Sequence, residues 1–227
     1  MDHFSQQSTV YRNALTKPGL ESRFRDALKQ YFTDSEMLLI YSTWDILRAA
    51  TSPYPIDLGL LKFISDVRFY MPIVRTMDTV EESSNLWIYH FHEVSLLSHS
   101  MHITTNADCL SQPNPFDGSL RGLATHELDL PYLLQNYIEL LPKESQSVAN
   151  DMSKCFIEFA NGNLRKWEVG KERAIKIWGA TDCEHGVKLM RQSEYDTQLR
   201  SGSSEVIARL GLQRCMLALD AFQYSET

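Results

Sequence analysis

Histidine and cysteine are the side chains of this sequence best suited to proton transfer, nucleophilic attack or metal binding near neutral pH. His90-x-His92, His99, His102 and His126 fall within a stretch of fewer than forty residues. On a strand, His90 and His92 project from one face, which raises the question of a metal site. No cysteine or carboxylate joins them at ligand spacing, so solvent or core histidines are the expectation. His126-Glu127-Leu128-Asp129 departs from H-E-x-x-H and does not encode a zinc-protease helix. Cys109, Cys155, Cys183 and Cys215 contain no C-x-x-C and no metal-type spacing, so free thiols are expected. Cys155 falls on the apolar face of a helix and reads as core, which argues against a thiol dyad with His126. By spacing alone His126 reads as a loop histidine satisfied by neighbouring backbone.

The elements that would position these residues are set by periodicity. Leu20, Phe24, Ala27, Leu28 and Tyr31 recur at helical spacing, which predicts a helix near Glu21 to Tyr31. A second helix is predicted from Ser35 to about Ala50, before the Pro53-Tyr54-Pro55 break. Asp57 can cap a third, carrying Leu60, Leu61, Ile64 and Val67, which Pro72 should end or kink. Leu86 to His92 is the strongest strand signal. A short helix is predicted over Leu130 to Tyr137. A longer one runs over Ser145 to Ala160, with Val148, Met152, Phe156 and Phe159 on one face and Gly162 as its C′ residue. Arg173 to Trp178 and Val187 to Met190 read as short strands, and Val206 to Phe222 as a closing helix. The strands have no obvious partners in sequence.

The chain has 227 residues, 43% hydrophobic and 22% charged, enough for a sizeable core. Its net charge of −7 argues against a nucleic-acid partner and against an anionic membrane surface. No stretch is apolar enough to span a bilayer. The opening residues MDHFSQQST lack basic and apolar signal regions, so as written the chain reads as cytoplasmic.

Leu86 to His92, then Pro113-Asn114-Pro115-Phe116-Asp117-Gly118, then Gly122 to Asn136 with its embedded His126, together resemble the C-terminal region of type B carboxylesterases, closest to fungal members. Ile64 to Phe69, and Phe156 to Gly162 with Trp167, resemble further segments of that family in the same order. The resemblance implies an α/β class: the C-terminal part of an α/β-hydrolase fold, helix-dominated with an incomplete sheet, covering residues 1–227. It implies a Ser-His-acid mechanism on a small-molecule ester, with no cofactor and no metal. His126 would take the serine proton and return it to the leaving alcohol. Asp129 would be a structural hydrogen-bonding residue.

Two departures shape that expectation. No G-x-S-x-G elbow occurs; Asp117-Gly118-Ser119 and Ser201-Gly202-Ser203 are the nearest approaches. The nucleophile would belong upstream of Met1. Where the family places its acid the chain offers Gln6 and Gln7, and Asp2 and Asp26 are alternatives without motif support. Second, Val94 to Gln112 interrupts the passage from strand to Pro113. It reads either as a translated intron, since Val94-Ser95 and Gln112 can encode splice-site ends, or as a loop insertion. The expected protein is thus a truncated or inactive esterase fragment. The alternative is a non-catalytic interaction protein that self-associates through an unpaired strand edge. With sheet cover missing around Trp87, Ile88, Tyr89 and Phe91, marginal stability is expected.

Overall fold

The computed structural model describes residues 19–46, 58–80, 87–92, 129–136, 138–141, 143–163, 168–169, 172–179, 186–200 and 202–224. The chain divides into two compact units, residues 1–81 with 196–227, and residues 82–195.

In the first unit, helix α1 (Leu20–Lys29) buries Phe24, Ala27 and Leu28, the stripe its periodicity predicts. Helix α2 (Asp34–Trp44) opens on a capping box: Thr33 Oγ1 accepts from the Glu36 amide at 3.4 Å and Glu36 Oε2 accepts from the Thr33 amide at 2.9 Å. It stops at Asp45, whose φ of 55° is left-handed, well short of the expected Ala50. The chain must turn there because helix α3 (Leu58–Ser65) approaches closely at Gly59. A Cβ on Gly59 would lie 2.4 Å from the Trp44 carbonyl oxygen, so only glycine fits.

Pro72 neither ends the helical path nor simply kinks it. Asp66–Tyr70 forms a π turn, and helix α4 (Met71–Thr79) restarts with Pro72 in its first turn. Proline has no N–H and clashes with the carbonyl four residues back. The chain accommodates it by widening one turn, with the Met71 amide donating to the Asp66 carbonyl.

The expected closing helix is two helices, α8 (Ser203–Leu210) and α9 (Leu212–Gln223), split at Gly211 with φ 88°. Leu210 and Leu212 are both buried, so apolar content alone conceals the break. Phe24 meets Tyr41, Phe63 and Phe222 edge-on at centroid distances of 5.4–6.0 Å and centres this unit's core.

The second unit is organised by strand β3 (Glu172–Trp178). Strand β1 (Tyr89–Phe91) pairs with it in parallel, Tyr89 opposite Lys176 and Phe91 opposite Trp178. Strand β4 (Val187–Arg191) pairs antiparallel against the same residues, Trp178 opposite Val187, so β1 and β4 occupy opposite edges of β3. Strand β2 (Glu168–Val169) pairs antiparallel with the start of β3. These pairings supply the partners that the sequence hid. β1 is shorter than the expected Leu86 to His92.

A parallel pair needs a long crossover. Within it lie helix α5 (Asp129–Leu133), shorter than expected, and helix α6 (Lys143–Ala160). Helix α6 lays Val148, Ala149, Met152 and Cys155 against Trp178 and Tyr132. It ends in a Schellman motif. The Gly162 amide donates to the Phe159 carbonyl at 3.0 Å and the Asn163 amide to the Glu158 carbonyl at 2.9 Å, with Gly162 at φ 75°. Phe159, expected in the core face, is exposed but rests on Trp87 at 5.4 Å.

Helix α7 (Gln192–Leu199) carries the chain from the residues of the second unit into those of the first. Helices dominate, with a small mixed sheet, an arrangement compatible with the α/β class. No helix among the described residues is long and apolar enough to cross a membrane.

Candidate functional site

His126 lies outside the described residues, as do Asp2, Gln6, Gln7, His99, His102, Cys109, Cys183 and the segment 94–112. The elements that flank position 126 are described on both sides, β1 before it and α5 after it. Tyr89 Oη on β1 donates to Asp129 Oδ2, the first residue of α5, at 3.0 Å. Asp129 is thus the structural hydrogen-bonding residue expected. Tyr89 is half-buried, its ring against Trp178 at 5.0 Å and Phe156 at 5.7 Å. Burial first, then the Asp129 charge and hydrogen bond, push its phenol up to about 12.

Two further contacts fix α5. Phe91 meets Tyr132 edge-on at 5.1 Å. Ser153 Oγ of α6 donates to the Leu133 carbonyl at 2.6 Å, satisfying a carbonyl that the helix end leaves open.

His90 and His92 share one ring. His92 Nε2 is hydrogen-bonded to Tyr195 Oη at 2.8 Å, and His90 stacks on the same tyrosine at 4.0 Å with an interplanar angle of 9°. Their own centroids are 6.3 Å apart, consistent with one face of β1. No group of three or more metal-type side chains occurs among the described residues. Asp26, one alternative for the triad acid, is exposed on α1 and pairs with Lys29 at 3.6 Å.

Sequence reasoning missed a polar cluster between α6 and β3. Lys176 Nζ lies 2.6 Å from Asp151 Oδ2 and 3.1 Å from Cys155 Sγ, and Trp178 Nε1 donates to Asp151 Oδ2 at 2.8 Å. Cys155 is a core thiol, as expected, yet it is not in purely apolar surroundings. Burial pushes its pKa up; the Lys176 ammonium opposes that without overcoming it. For Lys176, burial works to lower the pKa, but the hydrogen bonds to Asp151 and Cys155 outweigh it and the ammonium holds its proton more firmly than usual. The signal that would have found this cluster is a lysine inside the buried run Ala174-Ile175-Lys176-Ile177-Trp178, together with the turn-spaced pair Asp151 and Cys155 on α6.

In the first unit, Asp66 is almost fully buried. Arg200 pairs with its Oδ1, and Trp44 Nε1 donates to its Oδ2 at 2.8 Å. Asp196 accepts from Tyr70 Oη at 3.0 Å and from Ser204 Oγ at 2.7 Å. This network fastens α2, the π turn and the segment from α7 to α8 to one another.

Comparison with known proteins gives no match: no family model, curated relative or solved structure aligns with the chain.

Proposed function

We propose that this chain carries the histidine-bearing part of a carboxylic ester hydrolase of the type B class, and that it does not hydrolyse esters by itself. The observation that supports the reading is the Tyr89–Asp129 hydrogen bond at 3.0 Å. It ties the Tyr-His-Phe strand to the helix that begins three residues after His126. In a Ser-His-acid hydrolase the base must be held on a fixed scaffold, because it takes the serine proton and returns it to the leaving alcohol. Position 126 is bracketed by two elements fastened in that way. Inactivity is inferred from the sequence: no strand–turn–helix G-x-S-x-G is present to expose a serine, so no acyl-serine forms.

The test is hydrolysis of p-nitrophenyl acetate and butyrate by the purified chain and by His126→Ala. Equal background rates for both proteins, with no saturation, are expected. Saturable turnover abolished by His126→Ala would overturn the inactivity and require a nucleophile within these residues.

One observation favours a second, non-catalytic reading. Among the described residues, β1 and β4 each have a ladder partner on one side only, namely β3. A second copy of this chain could pair along such an edge. Sedimentation velocity decides it: a monomer at all concentrations removes that reading.

A further inference from the structure

We propose that Cys155 and Lys176 form an oxidation-dependent sulfur–nitrogen crosslink that locks α6 to β3. The pair sits within bonding reach: Lys176 Nζ is 3.1 Å from Cys155 Sγ. Neither residue moves far on its own, since Cys155 is one turn after Asp151 on α6, and Asp151 Oδ2 holds both Lys176 Nζ at 2.6 Å and Trp178 Nε1 at 2.8 Å. Cys155 and Lys176 are buried, whereas the Asp151 side chain beside them is 36% exposed. Hydrogen peroxide is the oxidant used to test the pair.

The chemistry balances with one equivalent of peroxide. The Cys155 thiolate attacks one peroxide oxygen, the O–O bond breaks, and the other oxygen leaves as water after taking a proton, giving a sulfenic acid. The Lys176 ammonium, which its partners hold protonated, must first pass a proton to Asp151 Oδ2, so this step quickens as pH rises; the free amine then attacks Sγ. The S–O bond breaks, the departing hydroxide takes the proton from Asp151 and leaves as a second water, and the linked nitrogen releases its remaining extra proton to solvent, leaving a neutral S–NH link. Sulfur has lost two electrons and peroxide has gained two. The linked chain is two hydrogens lighter than the reduced one, and a thiol reductant reverses the bond. Burial holds the Cys155 thiol protonated beyond the usual range, so the first step is slow and quickens as pH rises. The crosslink draws only on side chains of α6 and β3, so it does not depend on the proposed ester-hydrolase origin.

The experiment treats the folded chain with hydrogen peroxide, blocks remaining thiols, digests, and searches by mass spectrometry for the peptide containing Cys155 joined to the peptide containing Lys176. The expected result is a linked pair two hydrogens lighter than the sum of its parts, lost on dithiothreitol treatment and absent when the chain is unfolded in urea before oxidation. Lys176→Arg, which keeps the charge beside Asp151, should abolish the link. Recovery of Cys155 as free thiol, or as sulfinic acid without any linked peptide, overturns the proposal.

Discussion

Replacing Arg200 by methionine tests whether the Asp66 pair is a buried charge that the fold must neutralise. Asp66 is 2% exposed, and burial raises its pKa; Arg200, then Trp44 and Ser203, only partly offset that. Removing one partner of a buried pair costs about 3–5 kcal/mol, because the charge left behind has no compensation. The low end applies here, ~3 kcal/mol, since Arg200 is 23% exposed and Trp44 still donates to Asp66 in the variant. Arg200 also lies over the Tyr70 ring at 4.6 Å, a contact worth about 0.5–1 kcal/mol more. The total, about 4 kcal/mol by these principles, is a large part of the ~5–15 kcal/mol by which domains are stable. The pH dependence gives the sharper discrimination. A carboxyl group whose folded-state pKa is raised binds a proton more readily in the fold than in the unfolded chain. Stability therefore rises as pH falls through the folded-state value, and the gain is complete below the ordinary carboxylate value. Without Arg200 that window widens upward, and each pH unit inside it returns up to about 1.4 kcal/mol. Urea titrations at pH 7 and pH 5 should show the deficit of Arg200→Met shrinking on acidification. Adding Asp66→Asn should remove most of that pH dependence. A deficit below about 1 kcal/mol at pH 7, or one that grows toward acid, refutes the reasoning.

Two further outcomes rest on single contacts. Ultraviolet titration should show one tyrosine ionising near 12, with stability falling between pH 10 and 12 because the unfolded phenol ionises first; in Asp129→Asn that value should move down only partway, since burial is the larger cause. Gly59→Ala should lower stability by about 2–3 kcal/mol in thermal or urea unfolding, because its Cβ would meet backbone oxygens at 2.4 and 2.7 Å that cannot rotate away.

Local signals are legible where one element contains its own cause. The Leu20–Phe24–Leu28 stripe predicts α1, and Gly162 ends α6 where a C′ glycine should. Thr33-x-x-Glu36 carries the capping-box signature of α2, one residue earlier than the helix start read from apolar content. Features that depend on distant residues are not legible. α2 stops at Trp44 because Gly59 brings another backbone against it, and nothing in Asp34 to Ala50 records that approach. Tyr89 pairs opposite Lys176 across most of the second unit's sequence, and a parallel register leaves no turn motif to announce it. Gly211 leaves the apolar pattern of the closing segment intact because buried leucines flank it on both sides. Lys176 carries no local mark of its partners on α6, although its apolar neighbours on both sides argue for burial.

The placement of polar groups in the second unit separates positioning from reactivity. At β1 and α5 the pair is a neutral phenol and a carboxylate, Tyr89 and Asp129. Neither is a nucleophile near neutral pH: the phenol is held protonated to about 12, and the carboxylate is engaged by it. On the ester-hydrolase reading proposed above, their contact would fasten the elements flanking position 126 without supplying a nucleophile. At α6 and β3 the pair is a thiol and an amine, both nucleophilic once deprotonated, with Asp151 within reach of the amine to accept its proton. Yet these groups are buried, Cys155 at 7% and Lys176 at 8% exposure, away from bulk solvent. Any esterase activity found in the purified chain should therefore be insensitive to Cys155→Ser and to Lys176→Arg. Loss of that activity in either variant would mean that the thiol reaches substrate, and that α6 opens away from β3 by more than the described packing allows.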